Sequence, residues 1–212
     1  PEGVGAIGPG SEGEPAIEME SVHHILKLVA GAPNLRPAWF FDTAEQGEAL
    51  ADVATHLVDL VPWTLFPGQP IDHRAEVKVL RARRWPTPLA GDQLRRVTGM
   101  KELPVELASR MAGDRLSYFA NGEASFTLRG RHARVRVLWN YEARPGLAVL
   151  DEGARLRVAV PDRYRVGHEP HFAEVTERFL GYLKDPASLP AWEDANMLAK
   201  YRVTTEAVEL SR

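Results

Sequence analysis

Residues 116–139 read LSYFANGEASFTLRGRHARVRVLW, and the fold turns on how this stretch divides. From His132 to Trp139 apolar and basic residues alternate, Val135 and Val137 against Arg134 and Arg136, the period-two pattern of a strand with one wet face. Leu116 to Phe119 and Ala124 to Leu128 are two further strand-like runs, and Asn121-Gly122 between them is a pair that favours a tight hairpin turn. Three neighbouring antiparallel strands are therefore predicted here.

Working outward, IDHRAEVKVLRARRW (71–85) alternates Val77 and Val79 against Lys and Arg, a half-exposed strand, and 154–160 predicts another short one before Pro161. Between them, 94–110 reads as a turn and a short helix broken at Pro104. The tail is helical: 170–184 opens with proline in its first turn, and 192–210 follows DPASLP. Toward the other end, Met19, Val22, Leu26 and Val29 recur at helical spacing with Gly31 and Pro33 as a stop, which predicts a short helix. RPAWFFD (36–42) reads as extended, with Asp42 or Thr43 free to cap the next helix. The first fifteen residues hold five glycines and three prolines and read as a flexible segment, leaving 16–212 as one domain. Strands flanked by helices predict an α+β fold, an open and largely antiparallel sheet with helices packed on one face.

A chain of 212 residues buries about 70% of its unfolded surface, so a substantial core is available. Apolar residues at 44% and charged residues at 26% exclude a disordered or fibrous class. The net charge of -3 predicts no general attraction to nucleic acid or anionic membrane. The absence of cysteine removes disulfides, thiolate nucleophiles and cysteine metal sites, and fits a cytoplasmic setting. No long apolar run and no signal-peptide pattern is present, so a soluble chain is expected.

The richest local chemistry lies in GEALADVATHLVDLVPW (47–63). As a helix of about 3.6 residues per turn it stacks Asp52, His56 and Asp59 along one ridge, where the imidazole can reach either acid. Leu50, Val53, Leu57 and Leu60 or Val61 then form the buried side. A histidine held between acids suits proton transfer from a hydroxyl, and it equally suits a half-buried histidine pinned by surface acids.

Other motifs are weaker. Gly3, Gly5 and Gly8 spell G-x-G-x-x-G, but no strand precedes them and Pro9-Gly10 interrupt the helix that should follow, so a dinucleotide loop is not expected. His168-Glu169-Pro170-His171 spaces its histidines three apart across a proline, unlike the helical zinc-protease motif, and no metal site is expected. His168 and Glu169 at a helix start suit either a cleft or a capping and packing role, and His23, which with His24 adjoins Lys27, reads by itself as a surface or core histidine before a site one. Arg129, Arg131, Arg134 and Arg136, with Arg81, Arg83 and Arg84, form a basic region without interleaved aromatics, the wet or subunit-facing side of a sheet rather than a nucleic-acid surface.

The segments ESVHHILKLVAGAPNLRPAWFFD, GEALADVATHLVDLVPW, LRGRHARVRVLWNYEA, and YRVGHEPHFAEVTERFL with LPAWEDANMLAKYRVTT resemble the C-terminal domain of the Gfo/Idh/MocA oxidoreductases, those related to glucose-fructose oxidoreductase and inositol dehydrogenase. The resemblance runs from about Glu20 to the end of the chain. It implies an open-sheet domain that supplies part of the substrate site and the oligomer contact, beside an N-terminal Rossmann domain that binds NAD or NADP. The family's D-x-x-x-H pattern falls on Asp52 and His56, which become the candidate catalytic pair. His56 would relay the proton of a sugar or polyol hydroxyl, and Asp52 would orient it or hold the substrate. His168, Glu169, His23 and Trp39 complete the candidate substrate-facing set, with Asp59 in a supporting role.

Two departures accompany the resemblance. The family's Glu-Lys-Pro motif is absent, and so is a strand leading through a glycine-rich turn into a helix. Related sequences also carry more chain between Tyr141-Glu142-Ala143 and Leu147, so the sheet is expected to be shortened near 146–147. The chain is thus expected to be the substrate and oligomerisation half of a homo-oligomeric NAD(P)-dependent oxidoreductase, inactive in isolation. The competing expectation is a non-catalytic binding or assembly module on the same sheet.

Overall fold

The structure, a computed structural model, describes residues 7–29, 31–142 and 168–212. Gly3, Gly5, the strand expected over 154–160 and the junction near 146–147 lie outside the described residues. In chain order the elements are β1 (Ile17–His24), β2 (Leu28–Val29), β3 (Ala32–Pro33), a 3-10 turn (Ala38–Phe41), α1 (Thr43–Gln46), α2 (Ala54–Leu65), β4 (Val77–Ala90), α3 (Gly91–Thr98), α4 (Val105–Ala108), β5 (Met111–Ala112), β6 (Arg115–Leu128), β7 (Arg131–Asn140), α5 (His168–Lys184), a second 3-10 turn (Pro186–Ser188) and α6 (Trp192–Leu210).

The main sheet runs β1-β7-β6-β4, with β5 paired to the start of β6. Among the described residues only the β1–β7 pair is parallel; β6 pairs antiparallel with β7, β4 and β5. The fold is the expected α+β arrangement of an open sheet with helices on one face. Helices α2 and α6 pack on the sheet and on each other, α2 over β7 and α6 over β4. Beneath them Ala133, Val135, Val137 and Trp139 of β7 are buried, while Arg134 and Arg136 face the other way. Small residues on α6, Ala199, Val203 and Ala207, bring it close to the sheet.

Four local expectations are overturned. Residues 36–42, expected to be extended, hold the 3-10 turn Ala38–Phe41. Residues 19–29 do not form a helix. Ile17 to His24 are extended, register with Ala133 to Asn140, and place Ile17, Met19, Ser21 and His23 beside the buried residues of β7. Met19 and Val22, three apart, fit a helical period, while Met19 and Ser21 fit that of a strand; the ladder to β7 settles it. Asn121-Gly122 is not a turn but lies inside the continuous strand β6. The hairpin turn between β6 and β7 is at Arg129-Gly130, with φ of 49° and 73°, the left-handed values that a tight two-residue loop requires. Strand β4 begins at Val77 rather than Ile71 and continues through Pro86 and Pro88 to Ala90. An edge strand tolerates prolines, and a register shift between Trp85 and Thr87 absorbs Pro86.

Both residues of the Asn-Gly pair have packing reasons to be where they are. A Cβ on Gly122 would lie 2.8 Å from Leu50 Cγ and 2.9 Å from its Cδ2, so only glycine lets that buried leucine seat on the strand. The Asn121 amide donates to the Trp85 carbonyl at 3.1 Å and to Thr87 Oγ1 at 2.8 Å, across the irregularity in β4. Its oxygen accepts from the Trp139 N–H at 2.8 Å, just beyond the point where the β6–β7 ladder ends. The Thr87 hydroxyl donates to the Trp139 carbonyl at 2.5 Å. Side chains here replace missing ladder bonds between three strands.

On the uncovered face, one row of cross-strand neighbours alternates in sign: Glu20, Arg136, Glu123 and Arg83, on β1, β7, β6 and β4. The ion pairs along it measure 3.1, 2.7 and 3.3 Å, and Glu18–Arg134 at 3.4 Å begins a second row. Burial raises the Glu123 carboxyl, but hydrogen bonds from Arg83 and Arg136 outweigh it and hold the group below the usual glutamate value. A folded value below the unfolded one adds stability that is complete above the unfolded value, about 4.3, and is lost as pH falls through the folded one. The urea midpoint is therefore expected to drop on acidification below about pH 5, and Glu123→Gln to flatten part of that drop. An identical slope in the variant would remove Glu123 from the acid response.

Candidate active site

The region carrying Asp52 and His56 is shaped by how the chain leaves the sheet. Ala49 N–H donates to the Phe119 carbonyl of β6, and Leu50 buries against Gly122, so 49–53 are drawn down as turns before α2 begins. Asp52 consequently precedes the helix rather than lying within it. Its carbonyl accepts from Thr55 N–H at 3.3 Å and Thr55 Oγ1 at 2.5 Å. The same entry sets the buried stripe of α2 to Ala54, Val58, Val61 and Leu65, while Leu60 is exposed and Val53 and Leu57 are half-buried. Of the expected stripe, Leu50 and Val61 are buried and Val53 and Leu57 pack half-buried against the core; only Leu60, the alternative to Val61, faces solvent.

His56 lies in the first turn of α2 and is exposed. Among the described residues, no hydrogen bond or ion pair joins its imidazole to Asp52 or Asp59. Asp59 pairs instead with Lys200 of α6 at 3.6 Å and ties the two helices together.

Asp52 belongs to a second group assembled from distant parts of the chain. His23, near the end of β1, stacks on Trp139 of β7 with centroids 4.7 Å apart and planes at 24°, and its Nε2 lies 3.0 Å from Ser21 Oγ. Phe40 meets Trp139 at 5.8 Å and Tyr118 of β6 at 6.0 Å, and Phe41 meets Tyr118 at 5.5 Å. These rings form an aromatic floor. Arg36 lies over it, 4.4 Å from the Phe40 centroid and 5.3 Å from that of Trp139.

Electrostatics link the group. Burial first, and then the charge of Lys27, lower the His23 imidazole below its usual value, with Asp52 partly opposing them. Burial and then Asp52 raise the Tyr118 phenol, with Arg36 opposing. His23 is thereby kept neutral near neutral pH, able to accept or share a proton, and Tyr118 is kept protonated as a donor.

Of the residues singled out in the sequence, Asp52 acts on His23 through its charge, with no hydrogen bond or ion pair between them among the described residues, and His56 lies one helical turn beyond Asp52. Trp39 is 53% exposed and outside the ring cluster, which its neighbours Phe40 and Phe41 enter. His168 and Glu169 open α5, and their side chains lie outside the described residues. Arg36, Tyr118 and Trp139 were missed. Their signal was the aromatic density of RPAWFF and the aromatic ends of two strands, which no local spacing connects.

A cleft of about 640 Å³ lined by Trp85, Asn121, Tyr141 and Glu142 among others shares only Trp139 with this group. Among the described residues, no cluster of three His, Cys, Asp or Glu could hold a metal ion, and no helix is long and apolar enough to cross a membrane. Nor do these residues fit a dinucleotide: Gly8 precedes β1 instead of following a strand, and no glycine-rich turn leads from a strand into a helix.

The family model described as "Putative oxidoreductase C terminal domain" matches residues 1–150 and 144–212. The chain is similar to the crystal structure, at 2.23 Å resolution, of a "putative oxidoreductase" from Parabacteroides merdae ATCC 43184, with a TM-score of 0.85 and 34% sequence identity. That likeness covers 96% of this chain and 60% of the other, so the chain spans about 60% of that protein's length. No curated protein matches. With the family model covering both parts of the sheet and the terminal helices, the chain belongs to the family of oxidoreductase C-terminal domains.

Proposed function

We propose that this chain is the substrate-binding and oligomerisation part of a Gfo/Idh/MocA-type oxidoreductase that acts on a sugar, a polyol or a derivative with NAD or NADP. The observation that carries the reading is the position of Asp52. It sits at the entry to α2, its charge reaches His23 and Tyr118 above an aromatic floor, and His56 is open to solvent one turn later. Aromatic faces with a few convergent polar groups suit a sugar ring, whose C–H face packs on rings while its hydroxyls find donors and acceptors.

In this reading His56 takes the proton of the reacting hydroxyl, and Asp52 holds that hydroxyl or orients the imidazole. The cofactor supplies hydride acceptance when bound, and the N-terminal Rossmann domain of the same protein would hold it. Exposed Val175, Phe179 and Leu183 on α5 offer apolar surface that such a domain could cover. The uncovered, charge-laddered sheet face is the proposed subunit contact, since open sheets are commonly managed by pairing.

The test has two arms. The 212-residue chain is expected to show no saturable binding of NAD or NADP by calorimetry, and the complete protein is expected to reduce one of them with a sugar or polyol from a broad panel. Tight nucleotide binding by the chain alone would overturn the division of labour. Nucleotide-bound complete protein that turns over nothing in the panel would favour the non-catalytic module.

A further inference from the structure

We propose that Arg36 is the specificity residue of this site and that the natural substrate carries an anionic group, a carboxylate or a phosphate, as well as its reacting hydroxyl. The inference rests on the reading of Asp52 and His56 given above.

Arg36 is held from two sides. Its Nε donates to the Ile25 carbonyl at 3.1 Å and its Nη2 to the His24 carbonyl at 3.3 Å, at the C-terminal end of β1. Its own backbone N–H donates to the Val97 carbonyl at 2.8 Å, and the guanidinium rests on Phe40 and Trp139. A guanidinium has five N–H donors, and the two used here lie along its Nε–Nη2 side. The end formed by Nη1 and the second Nη2 hydrogen keeps the fork geometry that matches a carboxylate or phosphate with two parallel bonds.

Among the described residues the charge on Arg36 is uncompensated, as is that of half-buried Arg131 at the start of β7, but Arg131 touches one ring, Phe66, whereas Arg36 rests on two rings of the candidate site. Other half-buried arginines of the sheet have carboxylate partners: Arg84 with Glu48, Arg129 with Glu76, Arg134 with Glu18, and Arg136 with Glu20 and Glu123. Among the described residues no carboxylate lies within ion-pair distance of Arg36, although it too is half-buried. Holding a guanidinium away from water without a counter-charge costs stability, and an anionic ligand would recover it. Lys27 adds a second positive charge on the His23 side of the group, while Asp52 is the negative one. A hydroxy-anion held with its anion on Arg36 and its hydroxyl toward Asp52 and His56 would be bound in a single orientation.

The experiment is calorimetric titration of the 212-residue chain with D-glucuronate, D-glucose 6-phosphate and D-glucose, repeated with Arg36→Gln and Arg36→Lys. At least one anionic sugar is expected to bind measurably more tightly than glucose. Arg36→Gln is expected to lower that affinity roughly 10- to 100-fold without altering glucose binding, and Arg36→Lys, which keeps the charge, to recover part of it. Preference for glucuronate would assign a carboxylate, and preference for the 6-phosphate a phosphate. Equal binding of all three by the unaltered chain overturns the proposal without needing any variant. Equal weakening of every ligand in Arg36→Gln overturns it too, because it would reduce Arg36 to a clamp on β1. The two readings fail separately: Arg36-dependent anion binding with no NAD(P)-linked turnover sinks the oxidoreductase assignment alone, and turnover of neutral sugars indifferent to Arg36→Gln sinks only the anion inference.

Discussion

Replacing His56 by alanine in the complete oxidoreductase is expected to lower kcat by about 10²- to 10⁴-fold, the usual worth of a positioned general base. The position makes the experiment clean. His56 is exposed, and among the described residues its imidazole has no hydrogen bond or ion pair to lose, while its backbone N–H bond to the Val53 carbonyl at 3.1 Å survives the change. Such surface substitutions usually alter stability by no more than about 0.5 kcal/mol. Thermal unfolding of the variant should therefore match that of the parent, and the lost rate can be assigned to chemistry. In the proposed reading the lost interaction belongs to proton transfer in the transition state, so kcat and kcat/KM should fall together. A turnover number that does not change would remove His56 from the mechanism and turn attention to His23, the histidine that Asp52 reaches in this structure.

Asn121→Ala is expected to destabilise the fold by about 2–4 kcal/mol, the sum of several buried polar groups losing partners. Asn121 is 4% exposed, and its side chain is the shared partner of the Trp139 N–H, the Trp85 carbonyl and Thr87 Oγ1. Alanine would leave the Trp139 N–H and the Trp85 carbonyl without those bonds, in the place where the ladders on both sides of β6 are interrupted. The neighbouring cleft could admit water to part of this region, which is why the figure stays below the full sum. The check is a urea titration read at constant slope, so that a lower midpoint reports stability alone. A loss under about 1 kcal/mol would show that water replaces the amide and that the three strands do not depend on this side chain. Since Trp139 forms part of the aromatic floor, the variant should also loosen the site.

How much of this was legible locally differs from element to element. The alternation of HARVRVLW identified β7, and the tail pattern located α6 at its observed ends, 192–210, because both elements present one face to the core and one to water. For β1 the local pattern was ambiguous. Met19 and Val22 satisfy a helical period, yet Met19 and Ser21 also alternate, and the deciding partner, β7, lies more than a hundred residues further on. Asn121-Gly122 misled for a related reason. The pair has the composition of a turn, but here the amide spans gaps between strands and the missing Cβ makes room for Leu50.

The candidate site divides in the same way. Asp52 and His56 could be named from four residues of spacing and a family resemblance, and His23 from its neighbourhood in the sequence. Arg36, Tyr118 and Trp139 could not, because they meet only after the loop following β1 folds back over the ends of β6 and β7.

By itself the sequence determined the α+β class and the sheet's charged face, since each depends on residues close together in the chain. Only the tertiary structure decided that Asp52 stands ahead of the helix, where its charge acts on His23 and Tyr118 and its carboxylate makes no bond to His56. Burial of Leu50 against Gly122 fixes where α2 can begin, and that contact joins segments about seventy residues apart, beyond the reach of any local period.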